Sequence, residues 1–509
     1  MITEDQGDVI RWLESPGAHG GGEVARIDTH SAIVFLTGDR AYKLKRAVAF
    51  DYLDFSSAEL RRHFCNAEVT LNRRTAPGLY RRVVPVTRQP DGTLALDGTG
   101  PPLDWVIEMT RFPQDCLFDR LAAAGRLDLA LIDPLADHIA AFHASADPRF
   151  DHGGQRGMRW VADGNTAGFA EFGRCLDTSA CAQLTAHTTR EIDRHAALLD
   201  QRLAIGRVRH CHGDLHLGNI VLLDGRPTLF DGIEFNDEIA CIDVLYDIAF
   251  LLMDLWHRTL PGHANALLNR YLAAPDLDGL ALLPLFLSCR AAVKAKTSAT
   301  AAQMQSRPEE RSALERQARE YFVMAEALLH PPPPRLIAIG GLSGSGKSTL
   351  ARAVAPFVGA VPGAFILRSD EIRKRLCNVL PLDRLDPDGY APSVTARVYE
   401  TLAVEADRVL RTGHSVVVDA VYGDSSERTR LERVAQDAKV PFVGLWLDAP
   451  ASTLIARVTG RRYDVSDADA DVVRMQLARD SGEISWRRID AADSPEHMTG
   501  IALGLLSDG

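Results

Sequence analysis

"GGLSGSGKST" (residues 340–349) follows the short apolar run "RLIAI" and opens the helical-looking "STLARAVAPF". From Gly341 to Ser348 it satisfies G-x-x-x-x-G-K-[ST] in the strand–loop–helix setting that this pattern requires. Glycines let such a loop wrap with its N–H groups turned inward, and the helix N-terminus adds partial positive charge. Gly341, Leu342, Ser343, Gly344, Ser345, Gly346, Lys347, Ser348 and Thr349 are therefore expected to cradle ATP. Lys347 reaches the terminal phosphates and the Ser348 hydroxyl ligates Mg²⁺. A plain Gly/Ser-rich turn at a helix start is the alternative, and the full pattern in context outweighs it.

Beyond the loop, "AFILRS", "SVVVDA" and "FVGLWL" are apolar runs separated by helical stretches, which predicts a parallel sheet covered on both faces. Asp370 ends the first run, and helical spacing puts Arg373 on its face one turn later. An acid there can accept a hydroxyl proton while Arg373 orients a polar or anionic substrate, although Asp370 also suits a helix cap. Asp419, closing "SVVVDA", is placed to hold magnesium directly or through water, or merely to cap its strand. Arg457 and Arg461 share a helical face, with Arg462 beside them. They read as mobile arginines over the phosphates or as a solvated basic face. The acidic run 464–471 lacks the central glycine and closing glutamate of a calcium loop. Together these motifs resemble the P-loop small-molecule kinases of the gluconate-kinase and zeta-toxin-like group, across residues 335–509. That resemblance implies a lid bearing the arginines and turns Asp370 toward the acceptor.

A phosphate loop ordinarily follows the first strand of its domain, yet here 339 residues precede it in a chain of 509. A prior of roughly 150 residues per domain suggests about three units. The strongest boundary is Pro331–Pro334, since four prolines end the preceding helical stretch and favour a stiff spacer. The composition, 46% hydrophobic and 25% charged, is that of folded protein, and the net charge of -11 gives no reason to expect nucleic acid or a membrane surface as partner. The eight cysteines form no C-x-x-C pair, as expected for reduced thiols, and "MITEDQGDVIRWL" has no signal-peptide character. "IACIDVLYDIAFLLMDLW" is apolar enough to raise a membrane span. Its Asp243, Asp247 and Asp254 argue for a buried helix instead. A cytoplasmic protein is expected.

Ahead of the prolines, "SAIVFL" and "RAYKLK" read as strands joined by the turn "TGDR", after which the pattern turns helical. The densest stretch is "RHCHGDLHLGNIVLLDGRPTLFDGIEFN" (209–236). His210, His212 and His216 with Cys211 evoke a metal site, but no second cluster stands at a metal-site spacing. Another pattern absorbs more residues. Asp214 and Asn219 form H-x-D-x-x-x-x-N and Asp231 follows a second apolar run, which resembles the catalytic loop and metal-binding acid of the kinase fold. Asp214 then accepts the substrate proton, Asn219 and Asp231 hold Mg²⁺, and His212 braces the loop. "LLDGRPTLF" is itself a hairpin, which would deliver Asp231 to the metal.

Lys43 and Lys45 lie two apart on a strand and face one side, or are exposed edge charges. "YKLK" resembles the aminoglycoside phosphotransferase-like kinases over residues 24–330. This resemblance implies that Lys43 binds phosphate, that Glu68 is its ion-pair partner, and that backbone groups of Glu108 and Met109 in "WVIEMTRF" meet adenine. It also implies a glycine-rich loop, and here "DTHS" (28–31) stands in that loop's place. Thr29, His30 and Ser31 are the candidates for gripping the phosphates.

The expectation is thus a multidomain chain: an α+β bilobal kinase-like domain over 1–330 (small lobe about 1–112, helical lobe about 113–330), a linker at 331–334, and an α/β P-loop domain with a parallel sheet over 335–509. Each would transfer the γ-phosphate of ATP to a hydroxyl of a small polar molecule, sugar or aminosugar-like. Two rivals stand beside this: one module regulating the other through bound nucleotide, and a toxin-like kinase acting on a nucleotide-sugar.

Overall fold

A computed structural model describes residues 3–272, 274–460 and 465–507. By density of contacts the chain forms two compact units, Met1–Ala167 with Thr189–Asp254, and Gly168–Thr188 with Leu255–Gly509. Length alone suggests three. Two form because the N-terminal sheet and the stretch 209–236 fall within one unit.

In the first unit, six antiparallel strands run in the order Ala25–Asp28, Ala32–Thr37, Arg40–Lys45, Pro102–Thr110, Tyr80–Arg88, Leu94–Leu96. Strand side chains alternate between faces. Ile33, Phe35 and Leu44 pack with Val9 and Leu13 of the helix Gly7–Glu14. Leu36 and Ala41 turn the other way, to Cys65 and Val69 of the helix Ala58–Asn72. That helix starts where the Ser57 side chain accepts the Leu60 N–H, which satisfies one of its otherwise unpaired donors. Further along, Ile220–Leu223 and Arg226–Leu229 form a hairpin. Its turn residues Asp224 and Gly225 both have positive φ, 48° and 74°, as the tight Asp-Gly turn demands. The apolar stretch expected to be one helix begins as a strand: Cys241–Asp243 pairs with Val208–His210, and the buried helix runs over Val244–His257. Asp243 explains the break, since Arg202 grips its carboxylate at 2.7 and 2.9 Å.

The second unit holds a five-stranded, all-parallel sheet in the order Phe365–Arg368, Val416–Asp419, Leu336–Gly341, Phe442–Asp448, Arg487–Asp490. Ile337, Ile339, Val417, Leu445 and Leu447 build its core with Leu350 and Val354 of the helix Lys347–Val354. The fifth strand, "RRID", escapes a search for apolar runs because it is an edge with one buried residue, Ile489. Helices from before the prolines belong to this unit too. The helix Pro261–Tyr271 lies along the other edge strand, where Asn265 Nδ2 donates to Ala364 O at 3.0 Å and Asn269 Oδ1 accepts the Ile366 N–H at 2.7 Å. Two long helices, Leu283–Met304 and Pro308–Leu328, pack together before the chain enters Pro331–Pro334. Contact density therefore divides the chain upstream of the prolines, because these asparagines satisfy edge-strand groups that burial would leave unpaired.

Candidate functional site

Strand parity puts Lys43 and Lys45 on the Ala41 face, beneath the helix that carries Glu68. Lys43 Nζ lies 2.7 Å from Glu68 Oε1 and 2.5 Å from Asp231 Oδ1. Lys45 Nζ lies 2.5 Å from both Glu68 Oε2 and Glu234 Oε1. One carboxylate thus spans two lysines, and each lysine holds a second acid. Burial works against the Lys43 ammonium, yet Asp231 and Glu68 outweigh it and hold the lysine well above its usual range. Burial also opposes the Glu68 charge, and the two lysines overcome it and pull the acid down. For Glu234 burial prevails over Lys45, and the acid is pushed up.

Asp231 has φ of 62°, left-handed for a non-glycine residue, at a cost on the order of 1–2 kcal/mol. Its N–H donates to the Tyr80 hydroxyl at 3.0 Å, and the Gly232 N–H donates to Asn72 Oδ1 at 2.7 Å. These two hold the strained turn that aims Asp231 at Lys43. Asn219 Nδ2 donates to Asp214 Oδ2 at 3.0 Å and Asp214 O at 2.9 Å, which leaves the amide oxygen for another partner. The histidines go separate ways. His212 donates from Nε2 to Phe230 O at 2.9 Å while Nδ1 accepts the Asp214 N–H at 3.4 Å, a neutral brace held so by burial. His216 Nδ1 accepts the Gly218 N–H.

The buried helix Val244–His257 fixes this loop from below. Asp247 accepts the N–H groups of His212 and Gly213 at 3.0 and 2.9 Å and meets His143 Nε2 at 3.0 Å. Asp254, two turns on, accepts the Leu217 N–H at 3.0 Å.

The expected hinge needs correction. Glu108 and Met109 lie inside the strand Pro102–Thr110, flanked by neighbours on both sides, so the sheet takes their backbone groups. The Glu108 side chain pairs with Arg40 and Arg82. The Thr110 and Arg111 N–H groups are also taken, by Leu79 O and Asp39 O, so the chain leaves the sheet at Phe112, whose ring meets Phe230. In place of a glycine-rich loop stands a two-residue hairpin tip, His30–Ser31, closed by the Thr29 N–H on Ala32 O and the Ala32 N–H on Thr29 Oγ1. His30 Nε2 meets the Tyr52 hydroxyl at 2.8 Å. Burial and then Arg46 lower the His30 pKa, and Asp214 draws it up.

The glycine loop of the second unit is shaped by two close approaches. A Cβ on Gly341 (φ 139°) or Gly344 (φ 87°) would come within 2.6 Å of Leu447 O or Leu454 O. Lys347 Nζ donates to Leu342 O at 3.0 Å. Ser348 Oγ donates to Asp419 Oδ2 at 2.5 Å. Arg368 adds its charge there, at 3.1 Å from Ser348 Oγ and 3.4 Å from Asp419 Oδ2, with Glu371 at 2.8 Å on its other side. Hydroxyl and carboxylate oxygens converging on a buried point are the donor set that a hard cation takes, and Arg368 stands where that charge is wanted. Mg²⁺ fits these residues, as it fits Asp231 with the free amide oxygen of Asn219.

Asp370 is half-buried in the first turn of Ser369–Leu376. Arg373 is committed: Nη1 donates to Gly389 O at 2.9 Å and Thr395 Oγ1 at 3.1 Å, and the guanidinium lies 5.0 Å from the Tyr390 ring centre. Burial, then Asp467 and Asp370, raise the Tyr390 phenol. Arg457 is half-buried on the helix Ala451–Thr459, whose Leu454 touches the loop at Gly344. Arg461 and Arg462 lie outside the described residues.

Sequence reasoning weighed Lys45 beside Lys43 and chose Lys43, and it passed over Glu234, Tyr80, Asn72, Asp247, Asp254 and Arg368 as parts of these sites. One signal was available: Asp247 and Asp254 stand seven apart on an apolar helix, and buried carboxylates need donors.

Two family models match the chain: the phosphotransferase enzyme family over residues 117–283, and an AAA domain over 336–481. An uncharacterized protein of Mycobacterium tuberculosis is 30% identical over 489 residues, covering 93% of this chain and 94% of that protein. The adenylyl-sulfate kinase of Myxococcus xanthus is 33% identical over 117 residues, 23% of this chain and 59% of that enzyme. Among solved structures, a choline/ethanolamine kinase family protein from Mesorhizobium loti is similar over 60% of this chain and 88% of its own, at 13% identity and a TM-score of 0.38.

Proposed function

The chain belongs to the family of that mycobacterial protein and is itself an ATP-dependent phosphotransferase that joins a kinase-like module to a P-loop module, and we propose that both modules transfer the γ-phosphate of ATP to hydroxyls of small polar molecules, sugar or aminosugar-like. The observation that carries this is the pair of assembled sites: Lys43, Glu68 and Asp231 within hydrogen-bonding distance beside Asp214 and Asn219, and Ser348 on Asp419 beneath the glycine loop. The functional division proposed is 1–330, linker 331–334 and 335–509. The eight free cysteines favour a cytoplasmic, reducing setting. Among the described residues no helix is long and apolar enough to cross a membrane.

In the first module Asp214 takes the proton of the acceptor hydroxyl, held by the Asn219 amide, while Lys43 steadies the nucleotide phosphates. Asn219 and Asp231 would hold the metal. The backbone beside Phe112 meets adenine, and the hairpin tip 29–31 covers the phosphates. In the second, the loop amides and Lys347 bind phosphate, Ser348 and Asp419 would hold the metal, Asp370 takes the proton, and Arg457 with Arg461 stabilises charge on the transferring group. Mg²⁺ would neutralise phosphate charge and fix the leaving oxygen in both. Because Nη1 of Arg373 is already bonded, that side chain shapes the acceptor pocket through Tyr390.

Transfer of label from ATP to a panel of sugars and aminosugars tests the proposal, with Asp214→Asn and Asp370→Asn each expected to abolish a different product. Identical product patterns in both variants would remove these assignments. A second reading, in which the first module binds nucleotide only to regulate, is favoured by the two-residue tip at His30–Ser31. It predicts nucleotide bound there without turnover, and loss of all transfer in Lys347→Ala.

A further inference from the structure

Ser343 is the third residue of the glycine loop, whose backbone N–H groups are expected to cradle phosphate. That N–H donates to Gln476 Oε1 at 2.8 Å, and Gln476 Nε2 donates back to Ser343 Oγ at 3.1 Å. The glutamine comes from the helix Ala470–Leu477, 133 positions away. Its carboxamide oxygen therefore occupies one backbone N–H of the loop expected to bind nucleotide. We propose that Gln476 is a displaceable latch on the phosphate cradle of the P-loop module, so that entry of ATP and release of the helix Ala470–Leu477 are one event. The inference rests on the glycine loop being a nucleotide site.

The two ends of the segment differ in what holds them. At one end, Asp467 accepts from Lys374 Nζ at 3.1 Å, the Leu385 N–H at 3.0 Å and the Tyr390 hydroxyl at 2.9 Å. A carboxylate with three donors, one of them charged, is a firm anchor. At the other end, Gln476 contributes two neutral hydrogen bonds, each of small net worth against water. A triphosphate offers the same N–H a charge-assisted bond, so the Gln476 end gives way first. Apolar burial does little to resist this: Val473 is the buried residue of the helix, against Leu454 and Val458, whereas Met475 and Leu477 are exposed. The anchored end lies beside the helix that carries Asp370, and the latch therefore ties nucleotide entry to the acceptor side.

Hydrogen exchange on the full chain tests this at one site, whatever the other module binds. With Mg²⁺ and rising ATP, exchange should slow in residues 341–349 and quicken in 470–477, at one midpoint. In Gln476→Ala the midpoint should fall about tenfold or more, the worth of the two neutral hydrogen bonds removed. In Gln476→Glu it should rise, since a carboxylate keeps the Ser343 bond and repels triphosphate. Protection of 470–477 by ATP, or a midpoint unchanged or raised in Gln476→Ala, overturns the latch while the nucleotide site stands. No response of 341–349 to ATP, in the wild type as in Lys347→Ala, overturns both.

Discussion

Lys43 Nζ and Asp231 Oδ1 meet at 2.5 Å although 188 positions separate them in the chain. Lys45, two residues on, is occupied otherwise, between Glu68 and Glu234 at 2.5 Å each. The two lysines are alike in sequence and different in role, because Lys43 points at the acid that would carry metal, whereas Lys45 neutralises two buried carboxylates.

Single substitutions separate these roles. Lys43→Ala leaves Glu68 its second lysine, so the melting temperature should change little while first-module transfer falls by about 10²–10³-fold, the usual loss for one preorganised charge-stabilising donor. Lys45→Ala strands Glu234 in the interior and leaves Glu68 with Lys43 alone, and should cost about 3–5 kcal/mol of stability. Denaturant unfolding and labelled-ATP transfer measure the two; equal effects on both properties for both variants contradict the division.

Asp247 is the second lever. It accepts the successive N–H groups of His212 and Gly213 and meets His143. Asp247→Ala leaves these buried donors unpaired at about 1–3 kcal/mol each. First-module kcat should collapse, with second-module transfer retained. Asp254→Asn keeps an oxygen for the Leu217 N–H and should be nearly silent. A silent Asp247→Ala would show that the loop holds itself.

How much of this was legible depended on whether a residue's job is local. The glycine loop, the Asp-Gly hairpin and the spacing of Asp214 from Asn219 are contiguous patterns, and backbone geometry alone dictates their residue types. Four of the five parallel strands announce themselves as apolar runs because both faces are covered; Arg487–Asp490, an edge, does not. Residues that act across the chain carry no such mark. Gln476, Arg368 and Tyr80 gain their roles from where distant segments meet. The expectation for the Glu108 and Met109 backbone failed because "WVIEMTRF" does not reveal where strand pairing stops, and the pairing continues through Thr110.

Gly344 offers a steric test of the phosphate loop. Its φ of 87° disfavours any side chain, and a Cβ there would stand 2.6 Å from Leu454 O, a helix backbone atom that cannot swing aside. Gly344→Ala should lower ATP affinity at this loop by about tenfold or more, the cost of roughly 1–2 kcal/mol of left-handed strain plus displacement of the helix. Gly500→Ala, in the helix Pro495–Ser507 with open space around it, is the control and should stabilise by up to about 1 kcal/mol. Wild-type nucleotide binding in Gly344→Ala would mean that the loop yields freely.

The last prediction concerns acid. His414 is fully buried and its Nε2 donates to Gly363 O at 2.8 Å; burial lowers its pKa to about 4. An unfolded histidine titrates near 6.5, so between these values the unfolded chain binds a proton that the folded chain refuses. Stability from this group is therefore complete above about pH 6.5 and drains away as the pH falls toward 4, by about 3 kcal/mol. A glutamine can donate to the same carbonyl without titrating. His414→Gln should accordingly flatten the loss of stability between pH 7 and pH 4 for the unit that holds the parallel sheet, measured by denaturant unfolding at each pH. An unchanged slope would place the acid sensitivity elsewhere, since a histidine that keeps its proton balance on folding contributes nothing to it.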